Sequence, residues 1–216
     1  MKNLLLTFLA LTFLATACQP SKTAAPPKEI KQYTIEQFYK NEQIGGGFWS
    51  PDESKLLAHS NKTGIYNLLE INVADGSQRQ VSNSAVESFF AIDYVPGTNL
   101  MLYSADKGGN EIDHIYLLKE DGSSQDLTPA AEEKANFFGW SLDKKAFFYI
   151  SNKRNPQFFD LYKMTTGDWK ASMIYQNDQG LDVFGISWDE KTLALQKTIT
   201  TSENQLFLYD LATKKM

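Results

Sequence analysis

Apolar positions along the chain recur with a long, regular period. Four stretches share one order, an apolar or aromatic lead-in, a tight polar turn, then a strand: FWSPDESKLLAHS (48–60), IDYVPGTNLMLYS (92–104), GWSLDKKAFFYIS (139–151) and GISWDEKTLALQK (185–197). Trp49, Tyr94, Trp140 and Ile186 hold one slot, at spacings of 45, 46 and 46 residues. A second apolar element follows each hairpin: IYNLLEINV (65–73), HIYLLKE (114–120), FDLYKMT (159–165) and QLFLYDL (205–211). Asp75-Gly76, Asp121-Gly122 and Thr166-Gly167 then offer glycine for a positive-φ turn, with Ala212-Thr213 in the corresponding place. After three of these turns a short fourth strand is predicted, near Arg79–Ser82, Ser124–Leu127 and Ala171–Tyr175.

The unit is therefore a four-stranded meander, and adjacent apolar pairs such as Phe89-Phe90, Phe147-Phe148 and Phe158-Phe159 decide how the meanders pack. Neighbouring residues of a strand point to opposite faces, so such strands need cover on both. Sheets stacked around an axis provide that cover, whereas a sandwich shows cleaner apolar–polar alternation and turns every ~8–12 residues. The expected fold is all-β, a β-propeller of four-stranded blades near 45–84, 89–128, 136–175 and 183–216 within a segment spanning 32–216. About four blades are present, the fourth incomplete. Residues Ile30–Ile35 are a candidate for the strand that the fourth blade lacks.

The first residues have another character. Lys2, an apolar run from Leu4 to Ala15 and the small residues Ala15, Thr16 and Ala17 before Cys18 read as an export signal over 1–17, too short to be a normal membrane span. Cys18 is the one cysteine in the chain, placed where cleavage makes it the first residue. That arrangement resembles the bacterial lipoprotein signal, which implies lipid attachment at Cys18; an ordinary cleaved signal with a chance cysteine is the plain alternative. Several acyl chains, each contributing about 0.8 kcal/mol per buried CH₂, anchor a protein to a membrane without spanning it. Gln19 is not the aspartate tied to inner-membrane retention, so the resemblance implies a cell-envelope protein, lipid-anchored at the outer membrane and facing the periplasm. Residues 18–31, rich in Pro, Ala and Lys, read as a flexible tether.

Charge excludes one class of partner. The chain carries 21 Lys+Arg against 26 Asp+Glu, a net charge of −5, and loss of Lys2 with the signal makes it −6. Nucleic acid is a poor partner for that balance, and Lys153-Arg154 and Lys214-Lys215 read as solvated turn charges.

No G-x-S-x-G nucleophile elbow occurs; Gly185-Ile186-Ser187-Trp188-Asp189 lacks the second glycine and sits in a repeat slot. His59 and His114 lie in repeat strands, and His114 beside Asp113 makes no triad without an activated nucleophile. Two distant histidines suggest no zinc site. Asp106, Asn110, Glu111 and Asp113 gather carboxylates without EF-hand spacing and read as a hydrophilic hairpin tip. Gly45-Gly46-Gly47 reads as a flexible bend into the first blade, not a phosphate loop. No catalytic, metal or cofactor site is expected within these residues.

The wording of the blades resembles the β-propeller of exported peptidases of the prolyl oligopeptidase family, which includes dipeptidyl-peptidase-like and acylaminoacyl-peptidase-like enzymes. YTIEQFYKNEQIGGGFWSPDESKLL (33–57), DKGGNEIDHIYLLKEDGSSQDLTP (106–129) and SNKRNPQFFDLYKM (151–164) carry the resemblance. It implies a propeller that limits access to a C-terminal α/β-hydrolase domain, with peptides as substrate and the hydrolase not included in residues 1–216. The alternative is a non-catalytic, TolB-like propeller lipoprotein that binds a protein partner in the envelope. Both imply that this chain alone hydrolyses no peptide.

Overall fold

A computed structural model of the chain describes residues 30–216. The signal over 1–17, Cys18 and all but the last two residues of the tether lie outside the described residues. The chain divides into two units, one ending at Asn41 and one spanning Glu42–Met216. In the first, α1 (Ile35–Tyr39) starts at a capping box: the Thr34 hydroxyl accepts from the Gln37 N–H and the Gln37 side chain accepts from the Thr34 N–H at 2.9 Å. Residues 30–34 form no strand and Ile35 opens this helix, so the candidate closing strand is not formed. The local T-x-x-Q cap outweighs the β-preference of the two isoleucines.

The second unit is all-β. Blade 1 comprises β1 (Ile44–Trp49), β2 (Lys55–Ser60), β3 (Asn67–Asn72) and β4 (Gln78–Gln80); blade 2 comprises β5 (Phe90–Tyr94), β6 (Met101–Ala105), β7 (His114–Leu118) and β8 (Ser124–Asp126). Blade 3 comprises β9 (Ala135–Trp140), β10 (Ala146–Asn155), β11 (Phe158–Thr165) and β12 (Ala171–Tyr175), and blade 4 comprises β13 (Asp182–Ile186), β14 (Thr192–Thr200) and β15 (Glu203–Asp210). Each sheet is an antiparallel meander in chain order, four-stranded in blades 1 to 3 and three-stranded in blade 4. This is an incomplete β-propeller.

The repeat extends to single hydrogen bonds. Ser50, Val95, Ser141 and Ser187 each donate their N–H across the first turn, to the carbonyls of Lys55, Leu100, Ala146 and Thr192 at 2.8–2.9 Å. Every first strand also carries a bulge at one equivalent position: the ladder skips Gly47, Ile92, Phe138 and Phe184. A bulge adds local twist and re-aims the skipped side chain. Gly45-Gly46-Gly47 accordingly lie inside β1, and not in a bend ahead of it. Gly46 and Gly47 take φ of 84° and 125°, values that side chains resist.

Adjacent apolar residues do go to opposite faces. Leu57, Tyr94, Met101 and Tyr103 fill the seam between blades 1 and 2, whereas Leu102, Ile115, Phe147 and Tyr149 fill the next. Phe148, Leu161, Leu193 and Leu195 fill the seam between blades 3 and 4. Each such fully buried side chain stabilises the fold by roughly 1.5–3 kcal/mol. On the other face of blade 4, Leu206 and Leu208 are 68% and 70% exposed.

The turns between third and fourth strands differ in one respect from expectation. Gly76 and Gly122 take positive φ, but in blade 3, whose turn from Thr165 to Lys170 has the span of blade 1's turn from Asn72 to Ser77, the left-handed position falls on Trp169 (φ 54°), not Gly167; in blade 4 it falls on Lys214, and the turn of blade 2 from Lys119 to Ser123 is one residue shorter than the others.

Candidate functional site

The residues with catalytic potential are built into the scaffold. The Ser187 hydroxyl donates to Asp189 at 2.7 Å and accepts the N–H of Thr192 at 2.9 Å. Ser50 with Asp52 and Ser141 with Asp143 make the same turn at 2.6 and 2.7 Å. The Ser50 and Ser54 hydroxyls hold the Asp52 carboxyl down at about 2. The hydroxyl and carboxylate of this motif are therefore occupied in closing a hairpin.

His59 accepts the Ala91 N–H on Nδ1 at 3.1 Å and meets Tyr66 and Phe90 edge-on. Burial holds its pKa below the usual value, so the ring is neutral. A Cβ at position 45 would collide with that ring, which explains Gly45. His114 pairs through Nδ1 with Asp126 at 2.7 Å, not with Asp113, whose carboxylate lies 3.6 Å from Lys134 Nζ. His114 stands on the same rung as Asn67 and Asp160, since these face Ala105, Ser60 and Ser151. Asn67 accepts from the Ser84 N–H at 2.7 Å, and Asp160 from the Asn177 N–H at 2.7 Å and twice from Arg154. All three tie the returning strand or loop of their blade.

The acidic hairpin tip also satisfies its own backbone: Asp106 accepts from the Glu111 N–H at 2.8 Å and Asn110 from the Ile112 N–H at 3.0 Å. Among the described residues no three His, Cys, Asp or Glu side chains converge as metal ligands. Glu133 is buried with one oxygen accepting from Ser151 at 2.7 Å; its Oε2 lies 3.8 Å from Lys153 Nζ, beyond hydrogen-bond reach. Arg154 of the Lys153-Arg154 pair is held by Asp160 and Asp178. Lys214 closes the last turn, and its N–H donates to Asp210.

Hollows wide enough to admit a ligand lie between blades, where sequence reading placed nothing. At the seam of blades 1 and 2 the buried Glu70 accepts from Tyr94 Oη at 2.8 Å on Oε1, and from Arg79 Nε at 3.1 Å and Nη2 at 2.5 Å on Oε2. Lys55 Nζ stands 3.5 Å away. Burial pushes the Glu70 carboxyl up, but the bonds from Tyr94 and Arg79 and the two cations outweigh it and hold it below the usual range. The regular facing of Glu70 by Arg79 across the β3–β4 ladder is the signal that could have located this group. A second hollow, of about 360 Å³ between the first strands of blades 3 and 4, is lined by aromatic side chains including Trp140, Phe184 and Trp188.

Residues 80–216 match the family model for the prolyl oligopeptidase N-terminal β-propeller domain. No curated protein matches the chain. Similar solved structures include TolB from Acinetobacter baumannii, at 19% identity and TM-score 0.56 over 81% of this chain and 42% of that one. A puromycin-hydrolysing peptidase of Mycobacterium tuberculosis is similar at 13% identity and TM-score 0.57, over 81% of this chain and 30% of that one. A structure from a study of two prolyl endopeptidases is similar at 13% identity and TM-score 0.58, over 82% and 29%. At such identities the likeness is one of fold, and the chain spans less than half the length of each of these three.

Proposed function

Because the chain belongs to the prolyl oligopeptidase N-terminal β-propeller family, we propose that it is the access-limiting propeller of a serine peptidase that acts on peptides, held in the cell envelope by a lipid on Cys18. The observation that carries this reading is the family match over residues 80–216, which takes in most of the described blades. The serine, histidine and carboxylate groups of the repeat turns and rungs bind one another, so the contribution of the chain to catalysis is shape: blades around an axis admit short or unfolded peptides and exclude folded ones. The nucleophile, its histidine and its acid belong to a hydrolase domain outside residues 1–216. Under this reading the lipidated protein faces the periplasm from the outer membrane, and it binds no nucleic acid, metal or cofactor.

The test is to read the gene beyond codon 216. Further blades followed by G-x-S-x-G and a later Asp and His support the peptidase reading. A stop codon there replaces it with a TolB-like propeller lipoprotein that binds a protein partner. Two expectations accompany it. The purified chain leaves a chromogenic dipeptide substrate intact, and its Cys18→Ala variant moves from the membrane to the soluble fraction.

A further inference from the structure

Two neighbouring hollows, of about 730 and 240 Å³, run along the seam between blades 1 and 2 and share Val81, Leu118 and Gly122 in their walls. Together they make a groove at the third and fourth strands of these blades, of the size that takes small ligands and short peptides. The turn of blade 2 that borders the groove is one residue shorter than that of blade 3 and carries a glycine at its positive-φ position. In the seam between blades 2 and 3 the left-handed turn position is Trp169, whose indole packs onto the core formed by Val95, Leu117 and Phe147. In blade 2 the same position is Gly122, with open space where a Cβ would stand. A large aromatic residue at positive φ is uncommon, so blade 3 tolerates strain to close its seam and blade 2 leaves its seam open.

The open seam is also the charged one. Lys55, Arg79 and Lys119 line its smaller hollow against Glu70 and Glu120, an excess of one positive charge in a chain of net charge −5. Glu70 is satisfied by Tyr94 and Arg79, so its effect is to fix the guanidinium while leaving further N–H groups of Arg79 free. Lys119 has no carboxylate within ion-pair distance among the described residues. The larger hollow continues from this cationic end with Ser82, Asn83 and Ser124 on its walls and Phe89 and Leu118 beneath. Donors and acceptors along an apolar floor suit a peptide backbone, and the cationic end suits a carboxylate.

We infer that the groove between blades 1 and 2 docks an extended acidic peptide, with Arg79, Lys55 and Lys119 holding its carboxylates. This does not depend on the proposed peptidase role, since the groove lies at the outer strands and needs no hydrolase. The experiment is fluorescence anisotropy of the purified full-length chain with a fluorescein-labelled Leu-Ser-Glu-Glu-Leu peptide, amidated at its C-terminus. Saturable binding that weakens with salt is expected, at least about tenfold weaker for the Leu-Ser-Gln-Gln-Leu isostere and for Arg79→Gln. Gly122→Trp, which puts an indole at the positive-φ position of the blade 2 turn, is expected to abolish binding with the far-UV spectrum and melting temperature retained. Glu70→Gln combined with Arg79→Gln avoids a stranded buried charge, and it is expected to melt as the parent chain does and to bind as weakly as Arg79→Gln. Absence of saturable binding to the parent chain at millimolar protein overturns the inference. So does undiminished binding to both Gly122→Trp and Arg79→Gln, equal binding of the glutamine peptide, or competition by N-acetylglutamate as strong as by the unlabelled peptide.

Discussion

At the seam between blades 1 and 2 the ladder carries Lys55, Glu70 and Arg79; one seam further on, Leu100, Leu117 and Gln125 occupy the equivalent rungs. The strand ladders match at both places, and the turn over the first seam is one residue shorter than the turn over the second, so the contrast shows what side chains and one short turn do to a propeller seam. Apolar rungs under Trp169 make a closed contact. Charged rungs under Gly122 make a contact held by one buried carboxylate and open to solvent beside it. A repeat fold can thus vary one seam toward stability and another toward binding without disturbing the blades themselves.

The sharpest way to break the contrast is to put the charge where its partners are missing. Leu117→Glu places a carboxylate among Ile115, Leu127 and Phe147 and is expected to cost about 3–5 kcal/mol in urea unfolding; adding Gln125→Arg recovers part of it, because that pair copies Glu70 and Arg79. Trp169→Gly opens the closed seam. Loss of the half-buried indole, partly offset by relief of the left-handed turn, is expected to cost about 2 kcal/mol in the same measurement. Arg79→Ala leaves Glu70 with Tyr94 and Lys55, and a loss of about 1–2 kcal/mol is expected.

Acid sharpens the comparison, because the two seams respond with opposite signs. Glu70 has its folded-state pKa below its unfolded one, near ~4.3, so its stabilisation is present above that pH and is lost as pH falls through the folded value. Unfolding midpoints should therefore drop between about pH 5 and pH 3 in the parent chain and drop less in Glu70→Gln. Asp93, at the closed seam, is pushed up by burial, which the bonds from Trp140 Nε1 at 2.8 Å and the Tyr94 N–H offset only in part. Its ionised form costs stability at neutral pH, and that cost disappears on acidification. Asp93→Asn should gain a few tenths of a kcal/mol at pH 7 and nothing at pH 3.

The blades were legible because a β-meander writes itself locally. Pro51-Asp52, Pro96-Gly97 and the paired Phe147-Phe148 each report on a turn or a two-faced strand within a few residues. Helix α1 was not, since Ile30 and Ile35 look like strand residues until Thr34 and Gln37 are seen to cap each other. Trp169 escaped because Gly167 offers itself for the positive-φ position, whereas the pairing of Thr165 with Lys170 puts that position two residues later. The groove escaped for a deeper reason. Lys55, Arg79 and Lys119 are scattered in sequence and meet only once two blades are packed, so no spacing rule brings them together.

Whether these blades serve a serine peptidase can be read in the native cell envelope. An antibody raised against residues 42–216 should capture a membrane-associated polypeptide larger than this chain that is labelled by a fluorophosphonate serine-hydrolase probe. Capture of a polypeptide no larger than this chain, unlabelled by the probe, would contradict that role.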